Sequence, residues 1–100
     1  MTNVELRVQV LLSMQRALLS NVTLSMRAVA VSWTASSVTF RVLFDQSPTP
    51  PEQEITSVIE TEVMADLPEH HVRGEAVAVA PALVRILLSE GETLVFSRAD

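Results

Sequence analysis

The chain has 100 residues with a net charge of −5, and 48% of them are apolar. That is the size of one domain, residues 1–100, with enough apolar side chain for a modest core and too much for a disordered tail. There is no cysteine, so disulfide and thiol chemistry are excluded, which fits the cytoplasm. All seven bases are arginines, and with an acidic balance no nucleic-acid partner is expected, because phosphate binding needs clustered positive charge. The start of the chain lacks a basic segment followed by an unbroken apolar run, so no signal peptide is expected. No run of about 18 apolar residues occurs, so no membrane partner is expected either.

Thr2 and Glu5 have the spacing of a capping box. A helix is expected from Asn3 to Leu19. Val4, Val8, Leu11, Leu12, Leu18 and Leu19 form an apolar stripe interrupted by Gln15. Leu6, Val10, Met14 and Ala17 line the opposite side. A helix apolar on both sides is buried on more than one side. It either packs on a sheet beneath a further segment or forms a homodimer interface.

Asn21 stops the helix. Leu24–Trp33 and Val38–Asp45 read as two strands joined by the polar turn Thr34-Ala35-Ser36-Ser37. Val38, Phe40, Val42 and Phe44 alternate with Thr39, Arg41, Leu43 and Asp45. The turn lacks Asn-Gly or Asp-Gly, so local chemistry does not set the hairpin register.

The segment from Asp45 to Glu75 is different in kind. It holds eight carboxylates against one base, Arg73, whereas Met1–Phe44 holds four arginines against Glu5. After Ser47-Pro48-Thr49-Pro50-Pro51, Thr49 and Glu52 form a second capping box with Pro50 at the first helical position. A helix from Glu52 to Leu67 should end before Pro68. Ile55, Val58, Ile59, Val63 and Leu67 are its expected core stripe. Glu62 and Asp66 fall within that stripe, four residues apart, with Asp66 near the negative helix end. Such carboxylates lie at the rim, pair with Arg41 or Arg27 from the sheet, or form an anionic cluster for a basic guest.

His70-His71 follows. No third ligand stands at a metal-binding spacing, so the pair reads as solvated, with at most mild pH sensitivity. Val72–Ala80 has small apolar residues on both faces and reads as an interior strand ended by Pro81. Leu83–Leu88 is open between helix and strand. Glu90-Gly91 is a turn, and Thr93–Arg98 a last strand. The fold class is therefore α+β, in the order α-β-β-α-β-β. A four-stranded, mainly antiparallel sheet carries two helices packed on one face, or five strands if Leu83–Leu88 is extended.

Catalysis has little support. There is no Cys, Tyr or G-x-S-x-G frame, and Gly74 and Gly91 are the only glycines. Glu62 and Asp66 could form an acid–base pair, but the aromatic side chains of a substrate cleft are missing. Trp33 is the aromatic best placed to reach the surface. No catalytic residue, cofactor or metal is assigned.

Phe44-Asp45, Thr61-Glu62-Val63 and Ala65-Asp66-Leu67-Pro68, with the Pro-rich turn and acidic helix between them, resemble small acidic bacterial immunity proteins. These belong to contact-dependent inhibition and other polymorphic toxin systems. The resemblance covers residues 40–70. It implies a cytoplasmic toxin inhibitor that binds a basic toxin domain, often a nuclease. The residues expected to meet that partner are Glu54, Glu60, Glu62, Asp66 and Glu69. The competing readings are a homodimeric regulatory domain and a small enzyme.

Overall fold

The structure is a computed structural model that describes residues 2–79 and 88–98. Its elements are α1 (Asn3–Leu18), β1 (Met26–Trp33), β2 (Ser37–Phe44), α2 (Pro50–Asp66), β3 (His71–Ala78) and β4 (Thr93–Ser97). The order α-β-β-α-β-β is the expected one. Pro81 and the run Leu83–Leu88, apart from Leu88, lie outside the described residues.

Both helices start on threonine caps. The Thr2 hydroxyl accepts from the Glu5 N–H at 3.1 Å. At α2 both reciprocal bonds of the box are made: Thr49 accepts from the Glu52 N–H, and the Glu52 carboxylate accepts from the Thr49 N–H at 2.8 Å. These bonds satisfy N–H groups that the helix ends leave over. Asn21 lies just beyond α1, where its side-chain amide donates to the Ala17 carbonyl at 2.6 Å.

The strands run in the order β3-β2-β1-β4. β1 pairs antiparallel with β2 and with β4. β2 pairs parallel with β3, so the sheet is mixed. The cause is the connection: α2 carries the chain from the end of β2 back to the other end of the sheet, so the next strand must run parallel. β3 is also an edge strand, not an interior one. Gly74 is small because another group comes close. Gly74 lies beside Phe40 in the β2–β3 register, and a Cβ there would stand 2.2 Å from Phe40 Cζ.

Val29 and Val31 of β1 and Val38, Phe40, Val42 and Phe44 of β2 form the sheet side of the core. Both helices cover this one face. α1 contributes Leu6, Val10, Met14, Ala17 and Leu18, and α2 contributes Ile59 and Val63, with Leu67 at its end. The buried side of α1 is thus the Leu6–Val10–Met14–Ala17 side. The outer stripe is open: Val4 is 72% exposed, Val8 57%, Leu12 47% and Leu19 84%. No other described segment covers it. In α2, Thr56 takes the buried place expected of Val58, which is 40% exposed. The Thr56 hydroxyl meets its hydrogen-bond need by donating to the Glu52 carbonyl at 3.1 Å. Trp33 is half-buried against the core, with the Arg7 guanidinium 5.7 Å from its ring centre.

Candidate functional site

Two groups of carboxylates stand out. Asp45, Glu52 and Glu92 are held inside the chain, Asp45 and Glu92 by arginines and Glu52 by hydroxyl and backbone donors. Asp45 accepts from Arg98 at 2.7 and 3.1 Å and lies 3.9 Å from Arg27. Glu92 takes both Arg41 donors, at 2.7 and 2.6 Å, plus the Ser89 N–H. Glu52 accepts from Ser25 and from its cap residue Thr49. All three acids are held below the ordinary carboxylate range. The cause is the Arg98 hydrogen bond for Asp45, the Ser25 bond for Glu52 and the Arg41 bond for Glu92. Arg41 is raised in turn by Glu92. The partner of Arg41 is therefore Glu92, on the sheet face away from the helices, and Arg27 faces Asp45. Neither is the counter-ion of Glu62 or Asp66.

The second group is the expected binding set on and after α2. Among the described residues, no ion pair reaches Glu54, Glu60, Glu62, Asp66 or Glu69. Glu54, Glu62, Asp66 and Glu69 are exposed, and Glu60 is half-buried. At about 100° per residue, they do not share one face. Glu60 lies on the flank toward β3, where it accepts from the Gly74 N–H at 2.7 Å. That N–H is on the side of β3 away from β2, which no other described strand pairs, so Glu60 covers one donor there. Asp66 and Glu62 lie on the flank toward α1, and Glu54 points away from the sheet.

The α1 flank is where the structure brings groups together. Ser13 of α1 donates to Asp66 at 2.7 Å and ties the two helices. Val8, Leu12, Arg16 and Asp66 border a groove of about 250 Å³ between the helices. A second hollow, of about 140 Å³, adjoins it at Gln9, Asp66 and Leu67 and runs on to Glu69 and His70. His70 is not solvated as expected: both ring nitrogens are buried, with no hydrogen-bond partner among the described residues. His71 is exposed. Sequence reasoning missed Ser13, although it left a signal. A lone hydroxyl on the side bearing Leu6, Val10, Met14 and Ala17 needs a partner once buried.

Among the described residues, no three His, Asp or Glu side chains cluster to hold a metal ion. None of the described helices is long and apolar enough to cross a membrane. The groove sets Arg16 and the Ser13-bound carboxylate of Asp66 beside the apolar side chains of Val8, Leu12 and Leu67.

The fold is a small α+β one in which Glu54, Glu60, Glu62 and Asp66 of α2 have no ion-pair partner among the described residues. The family model for the MafI2 immunity protein matches residues 7–100, and the chain belongs to that family. Membership puts it in the class of immunity proteins, which neutralise a cognate toxin. The match extends the resemblance read from residues 40–70 to nearly the whole chain. Comparison with curated proteins returns no match.

Proposed function

We propose that this protein neutralises a basic toxin domain, a nuclease, by covering its cationic surface with the acidic side of α2. Of the expected set Glu54, Glu60, Glu62, Asp66 and Glu69, the exposed Glu54, Glu62, Asp66 and Glu69 are the contact residues, and Glu60, bound to the Gly74 N–H on the opposite flank, is reached only by a partner that wraps over α2. Asp66 and Glu69, which border the hollows beside α1, form the centre, with Glu62 one helical turn before Asp66. The observation that carries this reading is the division of carboxylates. Asp45 and Glu92 have arginine partners inside the chain, whereas the five on and after α2 have none among the described residues. Unneutralised anions on one helix repel each other, and they are explained if a cation-rich partner meets them. The protein acts in the cytoplasm of a bacterium that carries a polymorphic toxin system, by contact-dependent growth inhibition or a related route. It inhibits by binding, without catalysis, cofactor or nucleic acid.

The test uses the toxin domain encoded beside this chain. Glu62→Arg with Glu69→Arg should slow association and flatten its dependence on salt, leaving the far-ultraviolet spectrum unchanged. Neither residue hydrogen-bonds elsewhere among the described residues, so folding is not expected to suffer. Association at the wild-type rate with the wild-type salt slope would remove the acidic surface from the interface.

A further inference from the structure

The outer stripe of α1 touches the proposed toxin surface only where Val8 and Leu12 border the groove at Asp66, and its extent along the helix is not explained by it. Val4, Val8, Leu12, Gln15 and Leu19 lie on the side of the helix away from the core, and Leu11, half-buried against the core, lies at the edge of the same third of the circumference. Four of them are large apolar side chains between 47% and 84% exposed. Scattered apolar side chains need no explanation, but a continuous ridge along a whole helix marks an interaction surface.

We infer that a second copy of this chain covers this ridge, with the two α1 helices antiparallel and related by a two-fold axis between Leu11 and Leu12. The pattern of the helix is self-complementary in that register. Val4 faces Leu19 of the second copy, Val8 faces its Gln15, and Leu11 faces its Leu12. A two-fold contact needs this reciprocity. The charges agree with the same register. Glu5 and Arg16 are exposed and lie on the same flank of the ridge. Neither has an ion-pair partner among the described residues. In a two-fold antiparallel pair, equal flanks face each other. Glu5 then stands within about two residues, or about 3 Å along the axis, of Arg16 of the second copy. The pair forms twice, once at each end.

The shape agrees as well. A shallow hollow of about 430 Å³ lies beside the C-terminal end of α1, lined by Leu18, Leu19, Val22, Val95 and Phe96. It is level with Val4 of the second copy, which gives that side chain an apolar seat. Val8, Leu12 and Arg16 also border the groove at Asp66, so the dimer contact adjoins the acidic residues of the proposed toxin surface. This inference does not depend on the toxin reading.

Sedimentation velocity on the full chain, over a wide concentration range, tests it. The wild type should move from monomer to dimer as concentration rises. Leu12→Arg should weaken the dimer by at least about tenfold in Kd, with the circular dichroism spectrum intact. Glu5→Arg and Arg16→Glu should each weaken it, and the double variant should restore it. That rescue would not follow from a structural role alone. A wild type that stays monomeric throughout overturns the inference. So does a dimer that ignores Leu12→Arg, or single charge variants that the double variant does not rescue. If the chain is monomeric and Leu12→Arg abolishes toxin binding, the ridge belongs to the toxin instead. Loss of toxin binding in Glu62→Arg with Glu69→Arg, by contrast, would leave the dimer standing.

Discussion

α1 and α2 lie side by side on the same sheet face and contribute to the same core, yet their outer surfaces are opposites. α1 shows the solvent Val4, Val8 and Leu12, with Glu5 and Arg16 along one flank. α2 shows Glu54, Glu62 and Asp66 and contains no base. Their inner sides answer the same requirement, to cover Val29, Val31, Phe40, Val42 and Phe44, so they are apolar in both. The outer sides are under no such demand. What they carry is free to differ, and the two proposals above assign the two outer faces to two different partners.

The sharpest test of this contrast sets the two sides of one helix against each other. Met14 is fully buried between α1 and the sheet. Met14→Ala should cost about 2–5 kcal/mol in urea-induced unfolding, through lost burial and the cavity left behind. Val8→Ala, on the ridge, should stay within about 0.5 kcal/mol at concentrations where the chain is monomeric. Equal costs would mean that the ridge is covered within the monomer, and the contrast would fail. Gly74→Ala tests the same core from the sheet. Its Cβ would meet the Phe40 ring at 2.2 Å. Phe40 is held by the core on its far side, so the ring cannot withdraw freely, and about 1–3 kcal/mol should be lost.

The elements were legible in the sequence where local chemistry decides them. Thr49, Pro50 and Glu52 specify the start of α2 by hydrogen bonds that close within four residues, and the structure makes those bonds. The alternation Val38–Phe40–Val42–Phe44 likewise places four side chains on one face. Non-local facts were not legible. α1 is apolar on both sides, so periodicity cannot choose the core side, and the stripe through Val4, Val8 and Leu12 turned out to be the open one. The position of β3 at the edge depends on the route of α2 over the sheet. Gly74 looks the same to a sequence reading whether it is crowded by a neighbouring strand or by Phe40. For Glu62 and Asp66, the spacing identified them as unusual. Only the structure shows that Arg41 and Arg27 face other acids, and that Ser13 meets Asp66.

The paired acids should behave unlike the open ones. The Glu92 side chain is only 9% exposed and is held by Arg41, so Glu92→Gln should cost about 1 kcal/mol, at the upper end for a partly exposed pair. Its depressed pKa fixes the pH dependence. The stability it contributes is complete above the unfolded value, about 4.3, and is lost as pH falls through the lower folded value. Asp45 and Glu52, also depressed, act in the same direction. Unfolding midpoints should therefore drop below about pH 4.3, and Glu92→Gln should make that drop shallower. Thr49→Ala removes a cap from the acidic helix and should cost about 1 kcal/mol. Thermal unfolding monitored by circular dichroism would detect it.

The smallest expected effect separates the open acids most cleanly from the paired ones. Glu62 is exposed, has no ion-pair partner among the described residues, and stands one helical turn before Asp66. Two like charges at that spacing oppose the helix by about 0.2–0.5 kcal/mol. Glu62→Gln should therefore stabilise the fold by about that amount in urea unfolding at low salt, and the gain should fade as salt is added. A carboxylate that lowers the stability of its own helix is not there to hold the fold. The same substitution should slow association with the basic toxin domain, so stability and binding would move in opposite directions. If Glu62→Gln instead destabilises the chain, Glu62 has a structural partner. The difference between the acids of α2 and those of the sheet would then be one of degree only.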